Sequence, residues 1–132
     1  MGAAVKNEKG GKGSSDLVLD LYSNLLAEIW QLVSALIGEA ILAYFFSLAI
    51  RKLAEKYAFL NSMKVSDDGV SIEQVRQDYR TLSATEIHRG FQGLINHLTQ
   101  LFSALAEGVI NKELFPKVFP KFKEAERIIS QK

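Results

Sequence analysis

From Asp16 to Tyr57 the chain has no proline and only one glycine, Gly38. Acids come first (Asp16, Asp20, Glu28, Glu39), and no basic residue precedes Arg51, Lys52 and Lys56 at the end. This is the charge order that a helix macrodipole favours. The pattern predicts one long helix over about 16–57, with Gly38 the point where it can bend. At 1.5 Å per residue a straight helix of this length would extend about 60 Å, further than a compact domain of 132 residues can cover.

Two faces of that helix differ. Asp20, Asn24, Glu28, Gln31, Ala35 and Glu39 recur at steps of three and four and form a solvent-facing stripe. Val18, Tyr22, Leu25, Ile29, Val33 and Leu36 lie opposite. Beyond Glu39 the stripe stops, and Ala40 to Ile50 is apolar around nearly the whole circumference. A helix apolar all round is buried all round. The cover expected for it is a second copy of the chain, other helices, or lipid. Leu42, Phe46 and Ile50 are therefore candidate interface residues.

The lipid alternative is a membrane span over about 29–50, a length near the roughly 20 residues a bilayer needs, followed by a basic flank. Against it stands Glu39, close to mid-span, where a carboxylate costs about 2.5–3.5 kcal/mol on insertion scales.

The rest of the chain also reads as helix. Ser71 to Gln74 and Ser83 to Glu86 have the form of capping boxes, and two start signals so close together imply a corner. The second opens a long helix over about 84–110, expected to run antiparallel to the first. Its heptad seam is Ile87, Phe91, Leu94, Leu98, Leu101 and Leu105, widened by Ile95, Phe102 and Val109. Gly90, Gly93 and Gly108 flank the seam. Glycine inside a helix costs about 1 kcal/mol relative to alanine, so these three are read as a second candidate surface for close approach of a partner.

Elsewhere, Asp67-Asp68-Gly69 is a turn signal. Leu114 to Phe122, carrying both prolines of the chain, predicts a kinked connector anchored by Phe115, Phe119 and Phe122, with a short helix after Lys123. Residues 1–14 are a Gly- and Lys-rich tail, expected to be disordered, with Ser14 or Ser15 capping the first helix. Residues 15–132 form a single helical domain.

Composition narrows the chemistry. The net charge of +1 gives no electrostatic reason to expect nucleic acid. There is no cysteine, hence no disulfide and no thiolate chemistry. No phosphate loop, HExxH or GxSxG motif occurs. Glu28 and Glu39 are about 16 Å apart on a straight helix, too far for paired-carboxylate catalysis. Asp67 and Asp68 lack the remaining ligands of a calcium loop, and no metal site is expected. His88 is placed on the polar face beside Gln92 and Asn96, solvated. His97 falls on the glycine flank and is the one candidate ligand for a haem or other tetrapyrrole; the leading reading carries no cofactor.

Together these features predict an all-α helical bundle and a cytoplasmic, non-catalytic assembly or regulatory module. It is expected to self-associate, most simply as a dimer, or to bind another protein, as the input or interaction domain of a prokaryotic signalling protein does. The alternatives are a small membrane-anchored protein and a tetrapyrrole-binding bundle using His97.

Overall fold

The computed structural model describes residues 13–79, 81–105 and 108–130. They form an all-α bundle of five helices: α1 (Ser14–Ile37), α2 (Glu39–Ala54), α3 (Glu73–Asp78), α4 (Ala84–Ser103) and α5 (Val109–Ser130). A 3-10 turn (Ala58–Ser62) and a small hairpin, β1 (Lys64–Ser66) and β2 (Gly69–Ser71), join α2 to α3. The tail expected over residues 1–14 lies outside the described residues except for Gly13 and Ser14.

The run predicted as one long helix is interrupted at Gly38, whose φ of 94° and ψ of 153° lie far from helical values. The interruption reverses the chain. Trp30 in α1 and Phe46 in α2 have ring centroids 5.8 Å apart; on a straight helix they would be about 24 Å apart. Glycine alone tolerates this backbone region. Burial supplies the reason: on a straight rod the all-apolar segment would extend past the core, whereas the corner lays Leu42, Phe46 and Ala49 into it. Leu36, expected on the buried face, stands at the corner and is half exposed.

The reversal also resets helix directions. Ser15 Oγ donates to the Leu82 carbonyl, and further along both helices Tyr22 packs on Phe91. Hence α1 and α4 run parallel, not antiparallel as expected. Helix α2 runs antiparallel to α4, with Phe45 beside Phe102 and Leu53 beside Gly93. The α1 part of the polar stripe holds: Asn24, Glu28, Gln31 and Ala35 are exposed, and Asp20 partly so; Glu39, also exposed, falls beyond the reversal in α2. Val18, Tyr22, Leu25, Ile29 and Val33 form the buried face.

Local signals vary in outcome. Ser83 Oγ accepts from the Glu86 N–H at 3.1 Å, as a capping residue does. Helix α1 starts without a side-chain cap: its N-cap is Gly13, and Ser14 and Ser15, expected as caps, lie inside the helix, with Ser15 Oγ bonded to the Leu82 carbonyl. Asp67 and Asp68 form the two-residue loop of a hairpin paired Val65↔Val70, strands too short to announce themselves by alternation. Arg76 on α3 ties that short helix to α1 through Asp20 at 2.8 Å and Asp16 at 3.5 Å.

The helix expected over 84–110 ends at Ser103, and α5 begins after Gly108, whose φ is 85°. The segment read as a proline-kinked connector is part of α5. Pro116 and Pro120 both sit on its exposed side, where water can satisfy the carbonyls that lack a helical N–H partner. Ile110, Leu114, Val118, Phe122 and Ala125 bury the opposite side against α1 and α4. Of the three phenylalanines expected as anchors only Phe122 is buried; Phe115 and Phe119 are exposed.

Candidate functional site

One polar cluster crosses the core. Tyr22 of α1 lies 2.7 Å, Oη to Nδ1, from His88 of α4. His88 Nε2 faces the Glu126 carboxylate of α5 at 3.8 Å. The three groups link three of the helices that enclose the core, α1, α4 and α5. Tyr22 is fully buried and His88 nearly so, with Phe91 and Phe122 packed against the tyrosine ring. Burial lowers the His88 pKa from its ordinary value; the Glu126 carboxylate partly offsets this, and Arg89 adds to it. Burial, then the Glu126 charge, push the Tyr22 phenol well above the usual tyrosine range. Neutral imidazole accepting from the phenol at Nδ1, with its N–H toward Glu126, satisfies this arrangement. The phenol is fully buried and the imidazole nearly so, and the cluster joins α1, α4 and α5 through side chains of each.

His88 is thus buried, not solvated. The sequence held a signal for it: His88, Ile95 and Phe102 are each seven residues apart, so the row that widens the seam reaches His88 when continued one heptad back.

The residues read as an interface divide. Leu42 and Phe46 are completely buried by the chain's own side chains and have no surface left for a partner. Gly90 is buried, and a methyl placed there would collide with Phe59 Cζ, with Cε2 at 2.7 Å. Gly93 meets Leu53 Cδ1 at 3.0 Å. The close approach that these glycines permit is made by α2 and the 3-10 turn of the same chain. Gly108 serves the turn before α5 and has open space around it. Ile50 is half-buried against the core.

What α2 leaves outside is its opposite face. Ile41 and Tyr44 are 50% and 61% exposed. Leu48, half-buried, continues their row. The spacings of three and four place all three on one side of the helix, and Leu36 lies exposed across the corner. Glu39 stands in the first turn and Arg51 and Lys52 in the last. Reading the circumference as apolar was correct; a helix packed on one side by α1 and α4 keeps half of that surface.

His97 lies in a shallow groove between α2 and α4, with Lys52, Lys56 and Asn96. The space expected beside its glycines for a flat ring is taken by Phe59 and Leu53. A second cleft, of about 350 Å3, opens between α1 and the hairpin over Trp30, Val65 and Val70. Among the described residues, no three His, Cys, Asp or Glu side chains converge to hold a metal ion. Among the same residues, no helix is long and apolar enough to cross a membrane; the span read over 29–50 is divided by the reversal at Gly38. Compared with protein-family models, with curated proteins and with solved structures, the chain matches none.

Proposed function

We propose that this protein is a non-catalytic assembly module that dimerises through the outer face of α2, in the manner of an input or interaction domain. The observation that carries the reading is the exposed row of Ile41 and Tyr44 beside Leu36, on a helix whose other side is already buried. Large apolar side chains grouped on one face mark interaction surfaces more often than the same residues scattered singly.

A second copy suits this row as its occupant: Ile41 and Tyr44 lie on one side of α2 and can pack on the same row of a partner across a twofold axis, an isologous interface.

Size exclusion with light scattering tests it. The wild-type chain is expected as a dimer, and Ile41→Glu with Tyr44→Glu as a monomer of unchanged helix content, because both positions are exposed. A wild-type monomer at all concentrations, or a dimer indifferent to the Ile41 and Tyr44 changes, overturns the reading.

A further inference from the structure

We propose that the outer face of α5 docks on anionic lipid surfaces. Lys112, Phe115, Phe119 and Lys123 follow steps of three, four and four, which set them in one row along one side of a helix. All four are exposed. The two phenylalanine rings are stacked, with centroids 4.9 Å apart and planes 18° from parallel. Phe119 is 51% exposed and Phe115 37%. A stacked aromatic pair thus projects from the exposed side of a helix, bracketed at both ends by lysines about 16 Å apart. Glu113 and Glu124 lie about 100° or more around the helix from this row. Glu126, the next acid along the row, is directed to His88 at 3.8 Å.

The charge pattern separates the occupants. A second copy laid antiparallel on this face sets Lys112 against Lys123 and Lys123 against Lys112; a parallel copy sets each lysine on itself. Both arrangements pair like charges. An anionic headgroup layer meets both lysines with opposite charge, and the acyl boundary beneath it accepts the two rings without needing a preformed pocket. This is the division of labour in interfacial helices: apolar area gives depth, and lysines give attraction to acidic lipid. The docking is peripheral, since α5 buries its other side in the bundle.

Vesicle co-sedimentation of the full chain tests it, using neutral phosphatidylcholine vesicles and mixed vesicles containing phosphatidylserine. The chain is expected to bind the acidic vesicles and to bind neutral ones at least tenfold more weakly, with binding falling as salt rises. Each lysine removed should lower affinity about fivefold, so Lys112→Gln with Lys123→Gln should lose about twenty-fivefold. Phe115→Ser with Phe119→Ser should lose at least tenfold with unchanged helix content, because neither ring is core. Ile41→Glu with Tyr44→Glu should leave vesicle binding unchanged. No binding to acidic vesicles at low salt overturns the proposal. So does binding that survives both α5 double variants, which assigns the attraction to other residues. A change in oligomeric state on Phe115→Ser with Phe119→Ser, without vesicle binding, makes the face a protein interface and also overturns it.

Discussion

Gly90→Ala and Gly93→Ala place the same methyl on the same helix, one turn apart, and should move stability in opposite directions. Each gains about 1 kcal/mol of helix propensity. At Gly93 the new methyl meets a single atom, Leu53 Cδ1 at 3.0 Å. Leu53 is half-buried at the edge of an open groove, so its side chain can give by a few tenths of an ångström. Most of the propensity gain should survive, a net stabilisation of about 0.5–1 kcal/mol.

At Gly90 the methyl collides with the Phe59 ring, and Tyr57 Cβ is 3.4 Å away. Phe59 cannot retreat: it is 2% exposed and set edge-on among Tyr57, Tyr79 and Phe91. Overpacking of this kind costs about 1–3 kcal/mol and exceeds the propensity gain, leaving a net loss of up to about 2 kcal/mol. At about 4 °C per kcal/mol for a domain of this size, thermal unfolding followed by circular dichroism should separate the two variants by about 2–12 °C, with Gly90→Ala the lower. Equal shifts in either direction would refute the wedge of Phe59 against Gly90. A loss at Gly90 that appears only at concentrations where the chain dimerises would return that glycine to an intermolecular surface.

Three further outcomes follow from the same geometry. The folded-state pKa of His88 is lowered, so the unfolded chain binds the proton first; the stability it confers is complete above the unfolded value near 6.5 and is lost as pH falls through the lower folded value. Urea midpoints should therefore fall over this acid-side window in the wild type and flatten in His88→Gln, and an unchanged slope in the variant would assign the proton elsewhere. Phe46→Ala should cost about 3–5 kcal/mol, as a fully buried phenylalanine does, while Tyr44→Ala, at a 61% exposed site, should cost under about 0.5 kcal/mol; chemical denaturation of the monomer separates them, and comparable losses would place Tyr44 in the core. Gly38→Ala should cost about 1–3 kcal/mol, because a side chain is forced into a glycine-only backbone region; a gain in thermal stability would mean that α1 and α2 can join as one helix.

How far the chain could be read in advance depended on the range of the interaction. Period and end signals are local, so the Asn24 to Ala35 part of the polar stripe and the Ser83 start of α4 appear in the sequence as they do in the fold. The heptad row ending at Leu98 and Phe102 was legible in the same way. His88 was half legible: its heptad spacing from Ile95 spoke for burial, but the partners that make burial tolerable, Tyr22 and Glu126, are 66 and 38 residues away in sequence. The two prolines misled because their effect depends on which side of the helix faces water. On the exposed side water can satisfy the carbonyls left without a helical N–H, and α5 continues through both.

By itself the sequence determined that this protein is helical and where its amphipathic faces lie, while the cover expected all round Ala40 to Ile50 is met on one side only, with Ile41 and Tyr44 exposed. Backbone hydrogen bonding and hydrophobic periodicity act over a few residues, and those residues are adjacent in the chain. Only the tertiary structure decided what does the covering. Gly38 admits both a bend and a reversal, and the choice falls to the burial of Leu42, Phe46 and Ala49 against Trp30 and α4. That choice reverses the direction of α2, turns Leu42 and Phe46 from surface into core, fills the space beside Gly90 with Phe59, and leaves Ile41 and Tyr44 outside. Each outcome is a contest among distant segments for the same apolar surface, and packing in three dimensions settles it.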